Sequence, residues 1–168
     1  SVSFVFSFHK LSLALIIIFG LLARAYKMPF VILYDEAATY LDYCDGGFTS
    51  FLRIWNVNNH LVNTLLMKVS IEIFGNGVIA LRLPSFIFGI TSHLLIYYIS
   101  KKIYEKRVAL FSTLIYSCTP LLIHFESQAR GYSIKVTFTL LLFIACFHFL
   151  QKPNKTYLVL VSFVSSLG

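Results

Sequence analysis

The sequence predicts an all-α, polytopic transmembrane helix bundle with amphipathic in-plane helices in its first extracytoplasmic loop. Composition predicts it first: of 168 residues, 58% are hydrophobic and 12% charged, where a soluble domain carries about 25% charged residues. Apolar runs long enough to cross a bilayer then recur, separated by short basic loops. Aromatic residues are abundant, with 17 Phe and 10 Tyr, as suits a chain that meets lipid and the interface. The net charge of +7 does not argue for nucleic acid. The basic residues sit in short loops between apolar runs, where positive-inside placement accounts for them.

The first span is expected at about 8–28, densest over 11–22, with Lys10 before it and Arg24 and Lys27 after it. Further spans are expected at about 80–100, 108–124 and 132–150, with Pro84 in the first turn of the second. A last apolar run, 157–168, has 12 residues, short of the roughly 20 needed to span. The sequence has no initiator Met, and 1–168 is read as the N-terminal part of one transmembrane domain of a longer protein. Cys44, Cys118 and Cys146 show neither CxxC spacing nor a His/Cys ligand pattern, so neither disulfide nor zinc is expected.

Lys101, Lys102, Lys106 and Arg107 crowd one loop, and Lys152 and Lys155 the next on that side; both are expected to be cytoplasmic. Span parity then carries 24–78 and 126–131 to the opposite side. Six of the seven acids (Asp35, Glu36, Asp42, Asp45, Glu72 and Glu126) fall there. In the outer loop, 29–79, a short helix is expected over 35–43 with Asp35 near its N-terminus. A second is expected over 60–74, where Leu61, Leu65, Val69 and Ile73 form one line and His60, Thr64, Lys68 and Glu72 another. Gly75-Asn76-Gly77 ends it.

Adjacent carboxylates beside a bilayer repel each other and lose hydration, so Asp35 and Glu36 are the leading candidates for chemistry. They fit a helix N-terminus in a solvated loop, or a general base beside a second carboxylate that holds a substrate or a metal. Arg130, in Ser127-Gln128-Ala129-Arg130-Gly131-Tyr132, either snorkels to lipid or grips a lipid phosphate with its planar fork. Glu126, one turn away, is placed to orient it. Arg82, at the opening of the second span, reads as an interfacial anchor. His60, after Asn59, caps a helix or binds substrate. One His with scattered acids does not make a metal site, and a divalent cation stays open as the one cofactor to consider.

In order along 20–135, Arg24, Tyr34-Asp35-Glu36-Ala37, Asn59-His60, Phe74-Gly75, Ala80-Leu81-Arg82-Leu83-Pro84-Ser85 and Ser127-Gln128-Ala129-Arg130-Gly131-Tyr132-Ser133 resemble the GT-C membrane glycosyltransferases. The resemblance is to the branch of protein O-mannosyltransferases (dolichyl-phosphate-mannose-protein mannosyltransferase-like) and aminoarabinose transferases. It implies inverting transfer of a sugar from a polyprenyl phosphate to a lipid, glycan or protein acceptor on the extracytoplasmic side. It implies Asp35 as the base and Glu36 as support for the acceptor or an ion. It implies Arg82 and Arg130 as donor-phosphate ligands, with Asn59, His60, Glu126, Gln128 and Tyr132 as substrate-binding or supporting residues. Leu61 stands where many relatives carry Pro after the His. The expected location is a prokaryotic plasma membrane with the site facing outward. The alternatives are a transporter fragment, which would place acids within spans, and a noncatalytic lipid-binding relative.

Overall fold

The computed structural model describes residues 2–46, 52 and 60–167, with the side chains of 2–7, 166 and 167 excepted. Every numbered element is helical: α1 (Val2–Lys27), α2 (Tyr34–Thr39), α3 (Leu61–Phe74), α4 (Val78–Ile103), α5 (Lys106–Cys118), α6 (Pro120–Glu126), α7 (Tyr132–Gln151) and α8 (Lys155–Leu167). A π-helical turn, Tyr40–Cys44, continues α2. Phe8–Lys27, Val78–Ile103 and Tyr132–Gln151 are long and apolar enough to cross a membrane. The chain is thus an integral, multi-pass membrane protein. Helix α4 is central, packed against α3, α5 and α7, while α1 lies along α5 and α6.

The span expected at 108–124 is instead a bent pair, α5 and α6, turned by 64° at Thr119. Pro120 is the cause. It opens α6 at its first position, and Thr119 before it is extended, with φ −67° and ψ 113°. Helix α4 also differs from expectation. It begins at Val78, so Pro84 lies in its interior rather than in its first turn. A proline there leaves the carbonyl four residues back without its amide partner. That carbonyl, of Ala80, accepts a 2.6 Å hydrogen bond from the Ser70 hydroxyl on α3. One polar side chain thus repairs the α4 ladder and fastens α3 to it.

Helix α3 forms where the periodicity places it, and the middle of its polar line turns into the protein while Glu72 stays exposed. Thr64 and Lys68 are buried, while Val69, Ile73 and Phe74 are exposed. Lys68 Nζ reaches the carbonyls of Cys44 (3.5 Å) and Gly46 (3.2 Å), where the π-turn ends. Beside lipid, the apolar stripe is the outward face and the polar stripe is the seam.

Candidate active site

The acid pair and the strap 127–131, expected on one side of the membrane, are in contact. Glu36 is 1% exposed and sits third in α2, where its Oε2 accepts the Leu33 amide at 3.0 Å. Across the site, Arg82 donates to both carboxylate oxygens, Nε to Oε1 at 2.8 Å and Nη2 to Oε2 at 2.6 Å. Oε1 also accepts the Ala129 amide at 2.5 Å. A buried carboxylate needs this level of satisfaction to stay charged. Burial raises the Glu36 carboxyl, but the Arg82 hydrogen bonds, the Leu33 and Ala129 amides and the Arg82 charge lower it more. The net position is below the ordinary carboxylate range.

Arg82 is equally engaged. Beyond Glu36, its Nη1 donates to the carbonyls of Met28 (2.8 Å) and Phe30 (3.0 Å), and Nη2 to Val31 (3.1 Å). All five of its donors are therefore occupied within the protein. Arg82, expected as a donor-phosphate ligand, thus ties the α1–α2 connection to Glu36 and also lines the adjoining cavity.

Asp35 contrasts with its neighbour. Its side chain is half exposed, and Arg130 Nη1 donates to its Oδ2. The Arg130 guanidinium lies 5.2 Å from the Tyr132 ring centroid, a cation–π distance. The strap carrying Arg130 is held from several sides. The Asn63 amide donates to the Ala129 carbonyl at 3.4 Å, and the Ser85 hydroxyl to the Arg130 carbonyl at 2.9 Å. The Ser127 hydroxyl reaches the Arg24 carbonyl at 3.2 Å.

His60 is the N-cap residue of α3, yet its side chain makes no cap hydrogen bond. Its ring packs beside Tyr132, with centroids 6.2 Å apart. It also lies so close to Gly131 that a Cβ there would come within 2.8 Å of the His60 Cγ. Burial, then the charges of Lys135 and Arg130, lower the His60 imidazole below its ordinary value. Gln128 pairs with His124 at 2.8 Å. Both line a cavity of about 240 Å³ with Lys27, Leu33 and Arg82.

Glu126 does not orient Arg130. It is buried and paired with Arg24 at 2.5 Å, and the Tyr116 hydroxyl donates to its other oxygen. The bend at Thr119 turns α6 toward α1, which sets this pairing. Asn59 lies outside the described residues. Among the described residues, no three His, Cys, Asp or Glu side chains cluster as a metal site would require. Sequence reasoning missed Asn63, Ser85 and Tyr116, whose roles depend on which helix faces the strap.

The family model of the dolichyl-phosphate-mannose-protein mannosyltransferases matches residues 59–168, more than half of the chain. The chain belongs to that family and is a membrane glycosyltransferase of the mannosyltransferase type. No curated protein and no solved structure matches it. The matched segment contains Arg82, Glu126 and Arg130. Asp35 and Glu36 precede it and join it through Arg82, Ala129 and Arg130.

Proposed function

We propose that the chain carries part of the site for an inverting transfer of mannose, or a related sugar, from a polyprenyl phosphate to an acceptor hydroxyl on the extracytoplasmic face. The observation that carries the reading is the unequal setting of the acid pair. Glu36 is buried with both oxygens saturated, whereas Asp35 is half exposed and pairs with Arg130.

In this reading Asp35 removes the acceptor hydroxyl proton as its oxygen bonds to the anomeric carbon. The bond from that carbon to the phosphate oxygen breaks, and the electron pair leaves with polyprenyl phosphate. Arg130 holds the departing charge. The donor phosphate competes with Asp35 for Arg130, so donor binding also frees the base. Glu36 and Arg82 keep α2 and the strap in register. The cavity beside Lys27 and His124 gives room for a polar group next to the site.

The test is release of polyprenyl phosphate from polyprenyl-phosphate mannose by the full-length protein in vesicles, for wild type and Asp35→Asn. Release that falls by at least about a hundredfold in a folded Asp35→Asn protein supports the base assignment. Equal release removes Asp35 from the mechanism. No release from wild type with mannose or other polyprenyl-phosphate sugars overturns the donor assignment.

A further inference from the structure

The bundle interior holds a second polar cluster that touches neither Asp35 nor the strap's guanidinium. Arg24 is fully buried near the end of α1. Its Nε donates to Glu126, the last residue of α6, at 2.5 Å. Its Nη1 donates to the Ser117 carbonyl at 3.3 Å, and its Nη2 to the Tyr116 carbonyl at 3.5 Å. Those two carbonyls belong to the last turn of α5, just before the break. Pro120 cannot supply the amide that Tyr116 would otherwise receive. Arg24 therefore grips both sides of the 64° bend, the end of α5 and the end of α6.

Two features show that the pocket is shaped for this arrangement. The Tyr116 hydroxyl donates to Glu126, and the Arg24 guanidinium lies 5.7 Å from the Tyr116 ring. Gly89 on α4 makes the notch that seats the acid. A Cβ there would lie 3.1 Å from Glu126 Oε2 and 3.3 Å from its Cβ. A buried charged pair is a poor source of stability, since well-packed apolar residues commonly serve as well. What the pair does supply is direction. The residue after Glu126 begins the strap that carries Arg130.

We propose that Arg24 and Tyr116 are positioning residues that act through Glu126. They fix the angle of the bend that Pro120 creates between α5 and α6 and so hold Arg130 against Asp35. The kinetic part of this inference rests on the transfer reaction above; the structural part does not.

Tyr116→Phe and Gly89→Ala test it without leaving a charge unpaired. Each is compared with wild type and Asp35→Asn in the full-length protein, with polyprenyl-phosphate mannose as the probe. A small misplacement of a catalytic group costs far more in rate than in binding, so kcat is expected to fall by at least about tenfold with KM and Tm near wild type. Amide hydrogen exchange over 127–131 is expected to quicken by about tenfold while α4 and α7 keep their protection. Unchanged kcat and unchanged exchange overturn the proposal. Protection lost throughout together with a lowered Tm also overturns it, because the clamp is then only structural. Should wild type and Asp35→Asn release polyprenyl phosphate equally, the base assignment fails by itself, and exchange over 127–131 still decides the positioning.

Discussion

Asp35 and Glu36 carry the same chemical group one residue apart, and their surroundings give them different work. Glu36 is locked by Arg82 and two backbone amides, and Asp35 meets Arg130 at a half-open surface. Breaking a buried pair leaves its partner uncompensated, so Glu36→Gln is expected to destabilise the protein by about 3–5 kcal/mol. Asp35→Asn removes an exposed partner and is expected to cost about 0–1 kcal/mol. Thermal unfolding in detergent measures both, and equal losses would remove the distinction drawn between them. The acid limb offers a second check. The folded Glu36 carboxyl lies below its unfolded value. Its contribution is therefore fully present above the ordinary carboxylate value of about 4.3 and lost as pH falls through the lower folded value. Tm plotted against pH should drop there in wild type and flatten in Glu36→Gln. The adjacency of the two acids was legible in the sequence; their division was not, because it depends on Arg82 and Ala129 arriving from distant helices.

At the scale of elements, the helices follow from periodicity and the breaks from proline. The sequence pattern located α3, α4, α7 and the end of α1 to within a few residues, because long apolar runs and Gly75-Gly77 mark them, while α1 starts six residues before the expected span. It placed Pro84 in a first turn and passed over Pro120, since a hydrophobic run looks continuous across either. The structure resolves the two cases differently. At Pro120 the helix breaks and turns, whereas at Pro84 it continues because Ser70 supplies the missing donor to Ala80. Ser70→Ala should therefore orphan a buried carbonyl and cost about 1–3 kcal/mol. Pro84→Ala restores an amide for that carbonyl, so Ser70→Ala made in the Pro84→Ala background should cost clearly less. A double-mutant cycle of unfolding free energies reads the difference, and strict additivity would show that the Ser70 bond does not compensate for Pro84.

For the whole molecule, function depends on sidedness. The contact of Glu36 with Arg82 and Ala129 joins three stretches of chain at one end of the bundle. The basic turn 101–107 joins the opposite ends of α4 and α5. That the two lie on opposite sides follows from α4 crossing between them, and it was legible from the count of spans. The identity of the partners within the site was not, because α5–α6 bends and hands Glu126 to Arg24 rather than to Arg130. Which end faces the cytoplasm follows from charge. Lysines and arginines in a short loop resist translocation, so 101–107 is expected inside and the acid pair outside. Tyr34 is 86% exposed beside that pair, and Glu105 sits in the basic turn. Tyr34→Cys and Glu105→Cys, each in a background with Cys44, Cys118 and Cys146 replaced by Ser, provide reporters for the two ends. In sealed right-side-out vesicles, an impermeant thiol reagent should label the first at once and the second only after permeabilisation. The reverse pattern would place the acid pair on the cytoplasmic side, where an extracytoplasmic acceptor could not reach Asp35.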